Sequence, residues 1–159
     1  MAHATTILFD SFKKELMNGS HALGTQAANG VRTVTTKDVL KAALFLTSDT
    51  TVVATTTAYS TTGELAGTGN YTQGGVTVTN ATVPSNTTNT AFWTPSASFV
   101  WANLTTSGAT DAVEIYNDSS TGKLAIMLCA FGTQSVTAGT FTLTMPTNDA
   151  STGLIRITS

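Results

Sequence analysis

Threonine is the feature of this sequence that most narrows its choice of fold. Of the 159 residues, 35 are threonine, whereas only 10% are charged. A β-branched side chain loses rotamer freedom in a helix, but on a pleated sheet its methyl group packs beside cross-strand neighbours while its hydroxyl faces water. The composition therefore predicts a β-rich protein that makes surface contacts. Catalysis usually depends on titratable side chains, and two His, one Cys and nine carboxylates lead us to expect no enzymatic activity.

Length and charge narrow the possible partners. A chain of 159 residues can bury a substantial core as one domain, so we expect a single domain over residues 1–159. The net charge of −2 provides no basic surface for nucleic acid. No apolar run approaches the ~18–20 residues that span a bilayer, and the first residues lack the pattern of a secretory signal. Cys129 lies alone in an apolar run and is expected to be buried.

Hydrophobic periodicity predicts one helix followed by many strands. Leu8, Phe12 and Leu16 follow a helical spacing inside residues 7–23, with Asp10 or Ser11 as a possible cap, so residues 1–30 read as an N-terminal helix and arm. Short strands separated by turn residues predict an antiparallel two-sheet β-sandwich, jelly-roll-like, with one short N-terminal helix. The predicted strands span residues 31–34, 39–46, 76–83, 91–94, 98–104, 112–116, 124–131, 140–145 and 154–157.

A long polar segment interrupts this series of strands. Residues 54–75 are rich in Gly and Thr and contain Tyr59, Leu65 and Tyr71. Structureless connections of this length are usually functional or disordered. Ordering so much glycine is entropically costly, and a partner surface could offset that cost. We therefore expect residues 54–75 to be a long surface loop that serves assembly.

Few residues suggest a chemical site. His3 and His21 lack the spacing of zinc ligands, and the carboxylates between Asp111 and Asp118 do not form a calcium loop. We expect no catalytic site, no metal site and no cofactor. Trp93 and Trp101 leave two alternatives open. They either pack in the core or form an aromatic platform that binds carbohydrate.

Several segments together resemble a known family. These are the motif Ala-Tyr-x-x-x-Gly-Glu at residues 58–64, a Gly-Gly strand start at residues 74–76, the strand at residues 39–46, a short helix at residues 9–17 and a final strand at residues 154–157. The chain resembles small structural proteins of tailed bacteriophages and prophages over most of its length. The polar region at residues 18–36 matches no motif of that family.

The resemblance implies a non-enzymatic virion protein made in the host bacterial cytoplasm. A capsid decoration (cement) protein on the outer head shell is the leading hypothesis, with the major capsid protein or other virion proteins as partners and a homo-oligomer, a trimer favoured, as its assembly. Neck or tail attachment is one alternative, and a carbohydrate- or receptor-binding β-sandwich module is another. The contact residues hypothesised for this role are Phe9, Phe12, Tyr59, Leu65 and Tyr71.

Overall fold

The computed structural model describes residues 2–25 and 36–159. The fold is all-β and sandwich-like, with antiparallel sheets and one short helix, as the sequence predicts. The predicted strand at residues 31–34 and the turn at Asn29-Gly30 lie outside the described residues. In chain order the elements are β1 (Ile7–Leu8), α1 (Asp10–Met17), β2 (Leu40–Leu46), β3 (Val76–Thr77), β4 (Ser85–Thr87), β5 (Thr90–Trp93), β6 (Phe99–Leu104), β7 (Thr110–Asn117), β8 (Ala125–Gln134), β9 (Gly139–Leu143) and β10 (Ile155–Thr158).

Hydrogen bonding divides the described strands into three sheets rather than the two expected. The largest has the order β1-β8-β7-β2-β3, and all eight residues of β7 at its centre are buried. The others are β10-β5-β4 and the pair β6-β9. In β9 the threonines occupy the solvent-facing positions, as expected for this side chain. Thr140 and Thr142 are exposed, and the alternate residues Phe141 and Leu143 are partly buried.

The helix falls within the predicted window but is only eight residues long. Its N-cap is Phe9, and no side chain caps the helix start; Asp10, considered as a cap, is instead the first helical residue. A carboxylate there still interacts favourably with the helix dipole. Gly19 follows the helix with φ of 68°, a conformation that glycine adopts readily and that ends helices. The buried side of α1 presents Phe12 to the core.

The tryptophans belong to the core and do not form an exposed platform. Trp93 and Trp101 are both buried, and the indole N–H of Trp93 donates to the carbonyl of Thr82 at 3.0 Å. The Trp101 ring stacks on Phe141 with 5.7 Å between centroids. Cys129 is also buried, as expected, and its burial raises the pKa of the thiol to about 12.

Two strands differ most from the sequence prediction. The run at residues 76–83 predicts a long strand, but β3 contains only Val76–Thr77. The turn signal around Pro84 instead contains β4, which forms a tight hairpin with β5. Strand β3 ends early because β2 begins at Leu40. Lys41 pairs with Thr77, the N–H of Val78 donates to the carbonyl of Leu40 at 2.8 Å, and the residues after Val78 lie beyond the start of β2.

Candidate functional site

The segment at residues 54–75 is joined to the main sheet by main-chain hydrogen bonds. The N–H of Leu46 donates to the carbonyl of Gly63 at 2.9 Å, and the N–H of Leu65 donates to the carbonyl of Leu44 at 2.8 Å. Glu64 forms an isolated bridge with Phe45. Residues 63–65 therefore cover the edge of β2 from Leu44 to Leu46, next to the part of that edge that pairs with the start of β3. The segment is a surface loop with its middle inserted into the fold.

Glu64 organises the loop around a buried carboxylate. Its Oε1 accepts hydrogen bonds from the Tyr71 hydroxyl and the Gly74 N–H, both at 2.7 Å. Its Oε2 accepts a hydrogen bond from the Tyr59 hydroxyl. The Tyr71 oxygen in turn accepts from the N–H of Leu44 at 2.9 Å. Burial, followed by the neighbouring Glu64 charge, raises the pKa of Tyr71 far above its usual value, so the phenol remains a donor.

Four of the five hypothesised contact residues are buried, which contradicts the expectation that their side chains contact a partner. Phe9, Phe12 and Leu65 are completely buried, and Tyr71 is 4% exposed. These four side chains hold the helix and the loop against the sheets, because each faces the shared core. Tyr59 is half-buried and stacks on the ring of Tyr116 at 4.1 Å. Of the five residues, only Tyr59 keeps part of its side chain at the surface.

Glu114 is a buried carboxyl that the sequence does not single out as such. It lies in β7 with no exposed surface, and neither of its oxygens has a hydrogen-bond partner in the described part of the chain. Burial raises its pKa to about 8, and the charges of Glu64 and Asp49 add to the effect. The two aspartates considered with it as calcium ligands point to other partners. Asp111 contacts His3, and Asp118 lies 3.3 Å from Lys123 Nζ.

His3 anchors the N-terminal segment between two buried aspartates. Its Nδ1 lies 2.6 Å from Asp111 Oδ1, and its Nε2 lies 3.3 Å from Asp49 Oδ2. Although burial alone would raise the pKa of Asp49, hydrogen bonds from Thr51, Val52 and His3 outweigh it and hold this pKa below its usual value. In residues 2–25 and 36–159, no three potential ligands among His, Cys, Asp and Glu come together as a metal site.

His21 has a similar structural role at the end of the helix. Its Nε2 lies 2.8 Å from Glu15 Oε2, and its Nδ1 lies 3.2 Å from the side-chain nitrogen of Asn117. Asn117 also donates to Asp38 at 2.7 Å. This chain of contacts connects α1, β7 and the segment before β2. Both histidines therefore serve to join segments that are distant in sequence.

An apolar groove lies between α1 and β10, and we call it the β10 groove. Its volume is about 520 Å³. Met17 is 82% exposed and Ile157 is 50% exposed. The groove is lined by Leu8, Lys13, Leu16, Met17, Arg156, Ile157 and Thr158. A second depression of about 260 Å³, which has Trp93 in its wall, shares Leu16 and Ile157 with the groove. Neither depression is evident from the sequence, because their walls come from segments that are far apart in the chain.

One side of this groove is a strand edge that no strand in residues 2–25 or 36–159 pairs with. Strand β10 pairs with β5 and is the outermost strand of its sheet in the described part of the chain. The N–H of Ser159 donates to the carbonyl of Asn89 at 3.2 Å. Since the direction of main-chain hydrogen bonding alternates along an antiparallel strand, Ile157 bonds toward β5 like Ser159. The main-chain groups of Arg156 and Thr158, two residues that line the groove, consequently point away from β5.

Comparisons with known proteins add no relative. No family model matches the sequence, and no curated protein or solved structure matches it either. Within residues 2–25 and 36–159, no helix has the length and apolar character needed to cross a membrane.

Proposed function

We propose that this chain is a structural protein of a tailed-bacteriophage virion, which binds the outer head shell as a capsid decoration, or cement, protein. It acts as a homo-oligomer, with a trimer favoured, and joins the virion in the host bacterial cytoplasm. The major capsid protein is its partner. The role is passive adhesion, with no reaction to catalyse.

The observation that carries this proposal is the β10 groove. Large exposed apolar patches are uncommon on monomeric soluble proteins and usually mark interaction sites. Met17 at 82% exposure and Ile157 at 50% exposure lie beside the edge of β10, whose outward main-chain groups have no strand partner among the described residues. Apolar surface and free hydrogen-bonding groups in one place favour attachment to another protein.

The use of polar side chains inside the fold also supports a structural role. Glu64 holds two tyrosines and a main-chain N–H. His3 fastens the N-terminal segment to a strand more than 100 positions away, and His21 connects the helix to the central sheet. Side chains that a catalytic site would present to a substrate are here engaged in holding distant segments together. A rigid molecule is what a cement protein needs to brace neighbouring shell subunits.

The experiment is to count copies of the chain in purified particles of the phage or prophage that encodes it. Quantitative mass spectrometry should find a copy number on the order of hundreds, since shell-bound proteins follow the high symmetry of the capsid. Particles stripped of the protein should lose thermal stability and regain it when purified protein is added back.

Other copy numbers would redirect or reject the proposal. About a dozen copies or fewer would place the chain in the neck or tail, where rings have low-order symmetry. Absence from the particles would refute a virion role. As a control, the major capsid protein counted in the same sample sets the scale for full occupancy.

A further inference from the structure

We propose that the β10 groove binds an extended segment of the partner protein, which adds as a strand to the free edge of β10 and carries apolar side chains alternating with carboxylates. This inference rests on the proposed function for the identity of the partner as the head-shell protein. The mode of binding follows from the groove itself, so the two can fail separately.

The main-chain geometry calls for an extended occupant. The N–H and carbonyl groups of Arg156 and Thr158 point outward from β10, as the Ser159–Asn89 hydrogen bond establishes. In an antiparallel pair, every second residue of a strand exchanges hydrogen bonds with the neighbouring strand. Arg156 and Thr158 have this spacing. An added strand lies about 4.8 Å from its neighbour, and the groove supplies about 520 Å³ of space beside this edge. Strand addition to an open edge is a common mode of peptide recognition.

The side chains of the groove specify an apolar component. Leu8 and Leu16 are partly buried in its wall, and Ile157 and Met17 are exposed. Successive side chains of a strand point to opposite faces. Every second side chain of the added segment therefore meets this apolar wall, whereas the intervening ones face solvent or the groove rim.

The charge at the rim favours carboxylates at those intervening positions. Lys13 and Arg156 both line the groove, although the chain as a whole carries a net charge of −2. Asp10 accepts a hydrogen bond from Lys13 at 2.9 Å, and one guanidinium nitrogen of Arg156 donates to the carbonyl of Ser151 at 2.7 Å. The other guanidinium donors of Arg156 have no hydrogen-bond partner among the described residues, and guanidinium groups bind carboxylates well. The same rim disfavours a basic segment.

The test uses two synthetic peptides with fluorescein labels and the purified full-length chain. One peptide alternates valine with glutamate, and the other alternates valine with lysine. Fluorescence anisotropy should detect binding of the acidic peptide and much weaker binding of the basic one. Hydrogen exchange of the unmutated protein should show new protection of the Arg156 and Thr158 amides when the acidic peptide is present.

Matched variants separate the contribution of the main-chain hydrogen bonds from that of the apolar contacts. Thr158→Pro removes only an outward N–H, and proline is tolerated on a free edge, whereas Thr158→Val keeps that N–H. The proline variant should bind the acidic peptide about five- to tenfold more weakly than the valine variant, the effect of one hydrogen bond. Ile157→Asp should abolish binding. Val100→Asp is its control, because Val100 is 48% exposed and lies on β6, away from the groove. Circular dichroism verifies that each variant is folded.

Several results would overturn the inference. These are equal binding by the Thr158 variants, equal binding of the two peptides, or no protection of the β10 amides. Protection that appears without peptide and grows with protein concentration would mean that a second copy covers the edge instead. Attachment of the Thr158→Pro and Ile157→Asp variants to particles at normal occupancy would reject the groove while leaving the virion role intact. If the protein binds the acidic peptide but is absent from particles, the virion role is rejected and the groove is retained as a peptide-binding site.

Discussion

Glu114→Gln tests whether the buried carboxyl of β7 is neutral in the folded protein. The side chain has no exposed surface, and its oxygens have no hydrogen-bond partner among the described residues. Burial, reinforced by the charges of Glu64 and Asp49, raises the pKa of Glu114 from 4.5 to about 8. Glutamine has nearly the same shape and carries no ionisable proton. It therefore isolates the cost of ionising this one group.

The size of the effect follows from the two pKa values. Between pH 4.5 and about pH 8 the folded state keeps a proton that the unfolded state has released, so the free energy of unfolding falls as pH rises through this window. At about 1.4 kcal/mol per pH unit, the loss reaches roughly 3 kcal/mol at pH 7 and roughly 4 kcal/mol at pH 8. It stays constant at higher pH. Glu114→Gln should lack this dependence and should be the more stable protein at pH 8 by about that amount.

The measurement is urea unfolding of both proteins at pH 5, 7 and 8, with the free energy obtained by linear extrapolation. At pH 5 the two should differ little, because residue 114 is uncharged in the folded state of both proteins: Glu114 keeps its proton and glutamine has none to lose. Glu114→Leu provides a second neutral variant, and it should follow the glutamine variant in having no pH-dependent loss at this site. A stability difference that is the same at pH 5 and pH 8 would refute the argument, because it would mean that Glu114 is already ionised in the folded protein.

Three further predictions concern packing. Gly75→Ala should destabilise the fold by at least about 3 kcal/mol in thermal or urea unfolding, because an added Cβ would lie 1.8 Å from the carbonyl oxygen of Ala42. Gly122→Ala is its control, since Gly122 also has a positive φ but no atom within 4 Å of the added Cβ, and it should cost about 1–2 kcal/mol. Cys129, whose pKa is raised to about 12 by burial, should not react with a thiol reagent at pH 8 until denaturant unfolds the chain; rapid labelling of the native protein would contradict this. Deletion of residues 60–73 should prevent folding, measured by circular dichroism, because it removes the fully buried Leu65; a folded product would show that the loop is dispensable.

The sequence determines the fold class of this protein through local chemistry. Threonine alternates with Phe141 and Leu143 in β9, and this period of two places polar and apolar groups on opposite faces regardless of what lies beyond the strand. The short helix is likewise evident from the spacing of apolar residues near Phe12. Both patterns depend only on residues that are close together in the sequence, so they can be recognised without the tertiary structure.

Only the tertiary structure decides where the candidate contact surface lies. Leu65 looks like an isolated apolar residue in a polar loop, yet main-chain hydrogen bonds to Leu44 bring it into the core. The outward groups of Arg156 lie at a sheet edge because no described strand pairs with that side of β10. Met17 faces the same groove from the other end of the chain. Burial and edge exposure depend on contacts between residues far apart in sequence, and no local pattern encodes which distant segment will occupy an edge.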